Sequence, residues 1–396
     1  MDRIEWREEI LRVPVFDTHT HLNMPGVPIP AQNFWDIAHY FWFQEELWSV
    51  GYSRNAMELP EDERIECFIS AFNAGRNTAW NGIVRHIFRE LYGVELTNAA
   101  SVRAADAAVR ERSAQPNWAC SVIDRLAIQH IAVNNTRDSD FLELPGVGVA
   151  VPSWEAFRVW TEKLTQADDP RAAGQEARQA IGEAVATYKA AGIRGMRVEV
   201  DPFEFGGRAA VSALDDLPAG SVNALQAATF LTHALFRALS EHGMFAQLFL
   251  GIKRDVSVRT AMALNDPQRV TNLYPLFERY ACDFELVVGA PQNNLDAAQP
   301  ARIYSNVYVG GLWWYNFRPS TYNHVLQVRF EAVPASKSAI VASDARCIEW
   351  CYGKIFLVKT LLADFLYQQI KRDWIDREGA LWVAREWLHD AAARRY

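Results

Sequence analysis

The sequence predicts an α/β fold, specifically a (β/α)8 TIM-type barrel with a helical insertion after the first strand. Three observations carry that prediction. Short apolar runs alternate with helical stretches over most of the chain, the pattern of βα units around a parallel sheet. There are eight such runs, the number that closes a barrel. A long helical tract separates the first run from the second, too long for an ordinary strand–helix connection.

In chain order, residues 1–12 read as an amphipathic lead-in helix and 13–17 as the first strand. Pro25, Pro28 and Pro30 then impose a loop. From Phe34 to about Arg112 the pattern is helical, through Phe34–Leu47, Glu61–Asn73 and Thr78–Tyr92. The expected strands after it are Leu126–Val133, Val147–Val151, Gly195–Val200, Phe245–Ile252, Phe284–Ala290, Val307–Leu312 and Ala339–Ser343. Helices are expected between them at Trp154–Leu164, Gln175–Ala191, Ala224–His242, Arg269–Tyr280, Leu295–Tyr304 and Tyr322–Val333. Two more close the chain, Cys347 to about Ile370 and Trp374–Arg394. The domain division that follows is a barrel from 1–33 and 113–396, with a helical unit from 34–112 covering its active-site face.

Composition narrows the function. Half of the 396 residues are hydrophobic, enough for one large core, and the net charge of −8 argues against a nucleic-acid or anionic-membrane surface. No apolar run reaches the length of a membrane span. Met1-Asp2-Arg3-Ile4-Glu5-Trp6 is charged and lacks the apolar core of a signal peptide. The five cysteines are scattered, with Cys347 and Cys351 four apart as on one helix face rather than in a zinc knuckle. A cytoplasmic setting and a small-molecule substrate are the expectations, with self-association suggested by tryptophans in the insertion. No glycine-rich phosphate loop follows any strand, so no nucleotide cofactor is expected.

Barrel chemistry sits at the C-terminal ends of strands. Strand one ends in Phe16-Asp17-Thr18-His19-Thr20-His21-Leu22. Residues two apart on an extended backbone share a face, so His19 and His21 aim both imidazoles at one point. The last apolar run ends in Ser343-Asp344-Ala345-Arg346. In a closed parallel barrel it lies beside strand one, and Asp344 becomes a third ligand. Two histidines and one carboxylate leave positions open for substrate on a divalent metal. Strand four carries Arg197 and Glu199 on one face, either a structural ion pair or a site group with Glu199 as a further ligand. Strand five runs from Gln247 to Lys253 and Arg254, cations that read most simply as solvated. Trp313 and Trp314 follow strand seven and read most simply as packing residues.

These residues resemble the amidohydrolase superfamily and, within it, the uronate (glucuronate) isomerases. The resemblance rests on four segments: Phe16–Leu22, Ala38-His39-Tyr40-Phe41-Trp42, Gly311-Leu312-Trp313-Trp314-Tyr315-Asn316 and Ser343–Arg346. It implies one divalent metal, zinc first and manganese second, held by His19, His21 and Asp344. It also implies an aldose–ketose isomerisation of a sugar acid by proton transfer between adjacent carbons, with Asp344 or a metal-bound water as base. Tyr40, Arg346 and His39 would bind or polarise the substrate and Trp313 would wall the pocket. Trp314, Arg254, Arg197 and Gln247 complete the candidate substrate-binding set.

The departures are specific. Phe249 stands where the family carries a strand-five histidine, while Gln247 and Arg254 match. Arg197-Val198-Glu199-Val200-Asp201 replaces a Ser-Asp-His-Gly type segment. Glu349-Trp350-Cys351-Tyr352-Gly353-Lys354 replaces an Arg-His-Glu segment, and Phe43-Gln44-Glu45 replaces an expected arginine. Arginine grips a carboxylate through a bidentate fork that phenylalanine or glutamine cannot supply. The pocket is therefore expected to be more aromatic and less basic than a uronate site. That keeps a second reading open: a metal-dependent hydrolase or a C–C lyase (decarboxylase or retro-aldolase) on a more aromatic or less anionic substrate.

Overall fold

The computed structural model describes residues 2–22, 28–135, 144–151, 154–199, 217, 219–257 and 260–396. Its centre is a curled seven-stranded parallel sheet of β1 (Val15–Thr20), β2 (Ile128–Asn135), β3 (Gly146–Ala150), β4 (Gly195–Glu199), β5 (Phe245–Leu250), β8 (Phe284–Val288) and β9 (Val307–Val309), in that order across the sheet. Between β5 and β8 the chain makes an antiparallel pair, β6 (Ile252–Ser257) and β7 (Thr260–Ala263). Strands buried on both faces read as continuous apolar runs, and every residue of β1, β5 and β8 is buried.

Two expectations about strands need correction. The fifth strand does not run on into Lys253. Gly251 adopts φ +82°, and a Cβ there would lie 2.9 Å from the Ala290 side chain. The chain turns at this glycine, because an L side chain tolerates neither the angle nor the space. Lys253 and Arg254 therefore belong to β6, outside the parallel sheet. The eighth apolar run forms no regular strand. Val309 and Leu312 make single parallel bridges to Ser338 and Val341, and Thr20 makes one to Ala345. Segment 338–345 thus touches both edge strands through isolated bridges.

The helical tract is present as Phe34–Ala38, Phe41–Ser49, Glu61–Ala74, Ala79–Tyr92, Ala99–Ser113 and Trp118–Asp124. Their apolar faces share one hydrophobic cluster with the lead-in helix Arg3–Arg12 and the 24-residue helix Ile348–Lys371. A buried carboxylate fastens this layer. Glu349 accepts from Ala31 N at 3.1 Å, Tyr92 Oη at 2.9 Å and Trp118 Nε1 at 3.2 Å. A second cluster lies beneath β4, β5, β8 and β9. The stretch expected as one helix at Arg269–Tyr280 is two short ones, Gln268–Thr271 and Tyr274–Arg279, broken where Pro275 cannot donate its backbone N–H. No helix among the described residues is long and apolar enough to cross a membrane.

Candidate metal centre

The site is built on β1. Thr18 Oγ1 donates to Val341 O at 2.7 Å and Thr20 Oγ1 to Ala132 O at 2.8 Å, so the threonines tie the strand to its neighbours on both sides. The β1–β2 register slips between Asp17 and Thr20. An irregularity of this kind re-aims side chains and is common beside active sites. His19 and His21 end with their ring centroids 4.9 Å apart and nearly perpendicular.

Asp344 arrives from the other side. Its backbone N donates to His19 O at 2.8 Å, and His21 N donates to Ala345 O at 2.8 Å. His19 Nε2 lies 3.2 Å and His21 Nε2 3.0 Å from the same oxygen, Asp344 Oδ1. Among the described residues these three side chains form one group that can hold a metal ion, with ligand atoms all within 4.8 Å.

Does the donor set fit a cation? His19 is 1% exposed, and its Nε2 makes no hydrogen bond although a carboxylate oxygen is close by. Burial pushes the His19 imidazole down to about 3, so it is neutral. Burial by itself would raise Asp344, but the His19 and His21 imidazoles that face its Oδ1 prevail and hold it well below the usual carboxylate range. Neutral imidazole nitrogen and carboxylate oxygen face one point with no hydrogen bond from His19 Nε2. Unsatisfied buried polar atoms are costly, and a divalent ion satisfies both. The residues fit the metal.

The remaining candidates fall into three places. Beside the centre stand Tyr40, whose Oη donates to Asp344 O at 2.9 Å and lies 3.5 Å from Oδ2, and Trp313, 6.2 Å from the His19 ring. Trp314 stacks on Trp313 at 5.4 Å. Arg197 is buried with its guanidinium 4.1 Å from the Phe249 ring centroid, and Phe249 in turn packs at 4.7 Å on His19. Arg346 is exposed, with its guanidinium 5.9 Å from the Phe41 ring centroid. Two candidates face groups of the chain itself. His39 Nε2 pairs with Tyr52 Oη at 2.7 Å and leans on Trp35. Gln247 Nε2 donates to Tyr396 Oη at 2.6 Å, Thr18 O at 3.1 Å and Glu285 Oε1 at 3.3 Å. The side chains of Glu199 and Arg254 lie outside the described residues, as does the whole of Asp201.

Two participants were not singled out from the sequence. Trp42 Nε1 donates to Asp344 Oδ2 at 3.2 Å, and its ring meets Trp314 edge-on at 4.1 Å. Lys354 is fully buried and donates to Tyr40 Oη at 2.7 Å and to Ser343 O. Lysines among the apolar positions of a long helix, Lys354 and Lys359, are the available signal, since such a charge is rarely buried without partners.

The group of His19, His21 and Asp344 thus sits where the C-terminal end of the first strand meets the final apolar segment of a curled parallel sheet. The particular likeness is to uronate isomerases, whose fold this chain shares. It superposes on the uronate isomerase of Thermotoga maritima with a TM-score of 0.79 at 14% identity, covering 100% of this chain and 97% of that one. The glucuronate isomerase of Caulobacter crescentus gives 0.80 at 15% identity, covering 100% and 93%. A Lactobacillus casei protein provisionally described as a metal-dependent hydrolase gives 0.63 at 14% identity, covering 98% and 96%. No protein-family model and no curated protein matches the sequence.

Proposed function

We propose that the chain is a metal-dependent enzyme, similar to uronate isomerases, that interconverts the aldose and ketose forms of a sugar acid or a related hydroxy-carbonyl compound. The observation that carries the proposal is the convergence of His19 Nε2 and His21 Nε2 on Asp344 Oδ1 at 3.2 and 3.0 Å. In this reading segment 338–345 counts as the eighth barrel strand, and helices 34–112 cover the active-site face. Zinc is the first candidate metal and manganese the second, because two histidines and one carboxylate accept either.

The bound metal would supply a positive charge that lowers the cost of negative charge on adjacent carbonyl and hydroxyl oxygens. The chain's own residues divide the remaining work. Asp344 Oδ2, turned away from the imidazoles, is the candidate acceptor of the carbon-bound proton. Trp42 Nε1 fixes that oxygen, and Tyr40 fixes the backbone behind it. Trp313, Trp314 and Phe249 exclude water from the proton's path. Trp313 Nε1 is a buried donor without a hydrogen-bond partner, open to a substrate oxygen. Arg346, two residues past Asp344, and Arg197, packed on the Phe249 ring that touches His19, would meet the substrate's anionic end.

The aromatic wall favours a second reading, hydrolysis or C–C bond cleavage on the same centre. Incubation of the metal-loaded protein with glucuronate and galacturonate in D2O, followed by proton NMR, separates the two. New ketose signals or loss of a carbon-bound proton signal support the isomerase. An unchanged spectrum with metal verified in place overturns it in favour of the second reading, for which uptake of solvent 18-oxygen into product is the assay for hydrolysis.

A further inference from the structure

Asp344 has φ +55°, the left-handed region, which a non-glycine residue adopts only where its surroundings hold it there. The surroundings are specific. Three consecutive carbonyl oxygens are each gripped by a donor from a different part of the chain. Lys354 Nζ donates to Ser343 O, Tyr40 Oη to Asp344 O at 2.9 Å, and His21 N to Ala345 O at 2.8 Å. Lys354 Nζ also donates to Tyr40 Oη at 2.7 Å, so the first two grips form one connected unit.

The lysine is enclosed on several sides. It is 1% exposed. Its ammonium stands 4.4 Å from the centroid of the Tyr40 ring, 4.7 Å from Phe317, 4.9 Å from Trp80 and 5.7 Å from Trp350. Four aromatic faces stabilise a cation that water cannot reach. They also confine the two N–H bonds to Tyr40 and Ser343. The phenol is fixed in turn, because its oxygen accepts from Lys354 and its single proton goes to Asp344 O.

We infer that Lys354 and Tyr40 act together as a clamp that holds Asp344 in its left-handed conformation and so presents its carboxylate to His19 and His21. The inference rests on the metal-centre reading above. Both are positioning residues: neither is a ligand, and Lys354 acts only through Tyr40 and the backbone. Releasing the clamp lets Asp344 relax and moves its carboxylate off the point where the imidazoles converge. Partners that orient a metal ligand typically matter by 10- to 100-fold in metal affinity, by order of magnitude.

Cobalt(II) provides the test, since its visible absorption reports ligand geometry independently of catalysis. Chelator-stripped wild-type protein, Tyr40→Phe, Lys354→Met and the double variant are titrated with cobalt. Tyr40→Phe removes one oxygen and no charge, and its cobalt affinity is expected to fall about tenfold. Lys354→Met also removes a cation that repels the metal, so its spectrum is the readout rather than its affinity. It is expected to show the same displaced bands as Tyr40→Phe, and the double variant is expected to match the singles because one unit has been broken. Wild-type bands and affinity in Tyr40→Phe overturn the clamp, as do different displacements in the two singles that add in the double. Should Lys354→Met fail to fold, Tyr40→Phe decides alone. Wild-type protein that takes up no cobalt overturns the metal reading, and the clamp falls with it.

Discussion

Just before β1, Lys359 Nζ donates to the carbonyl oxygens of Leu11, Val13 and Leu126 at 2.8, 2.6 and 2.6 Å. Near its other end, still within the strand, His19 Nε2 makes no hydrogen bond. Both groups are buried, and each should be costly. Burial pushes the Lys359 ammonium down to about 7. Yet three carbonyls accept three N–H bonds, and a neutral amine has only two to give, so the charged form is the better match. The lysine end is complete in itself. The histidine end is complete only with something added, and the same chain supplies a strained backbone at Asp344 to keep it that way. A satisfied buried charge builds a fold; an unsatisfied buried imidazole nitrogen, held against a carboxylate, points to a ligand.

The largest effect expected from that contrast is on activity. His19→Ala or Asp344→Asn should lower turnover at least about a thousandfold, roughly 4 kcal/mol, and bind no stoichiometric metal by elemental analysis. Full activity in Asp344→Asn would sink the whole centre. At the other end, Lys359→Met should lower unfolding stability by about 3 kcal/mol, because it strands three buried carbonyls, while leaving metal affinity unchanged. Urea denaturation with parallel metal titration checks both halves. Zinc at about one hundred times its dissociation constant should then raise wild-type stability by about 2.7 kcal/mol and leave His19→Ala where it was. A comparable rise in His19→Ala would mean that the metal sits elsewhere.

The smallest effect sharpens the comparison rather than testing it. Gln247 was expected to touch substrate, but its amide meets Tyr396, Thr18 and Glu285, a set that also includes the buried ion pair between Arg395 and Glu285 at 2.8 Å. Gln247→Leu should cost about 1–2 kcal/mol of stability with KM unchanged. An increase in KM without loss of stability would return Gln247 to the substrate.

How much of this was legible in the sequence follows from the range of the interactions involved. His19 and His21 could be paired because period-two geometry is local, and Asp344 could be joined to them because the first and last strands of a barrel are neighbours. Trp42 closes the Ala38–Trp42 motif, but nothing in that motif gives its partner. Its bond to Asp344 depends on how a helix in the 34–112 tract sits against a segment 302 residues away, which no local pattern encodes. The surroundings of Lys354 are hidden for the same reason, since three of its four aromatic neighbours, Tyr40, Trp80 and Phe317, come from separate parts of the chain and only Trp350 is local. The end of β5 was misread because its apolar run continues through Gly251, and only the backbone reversal at that glycine separates Ile252 from the sheet. Hydrophobic alternation reveals strands but not where a bulge or an isolated bridge replaces a ladder.

Asp17 and Ser343 are hydrogen-bonded across 326 residues of sequence. A ribosome adding about 5–20 residues per second needs roughly 16–65 s to cover that interval. For all of that time a nascent chain displays its histidine pair without its carboxylate and without the lysine behind it. Two imidazoles on an unfolded segment hold a divalent ion far more weakly than three ligands on a finished scaffold. On the metal-centre reading, the three-ligand set therefore exists only once Asp344 has been added and has folded back against β1.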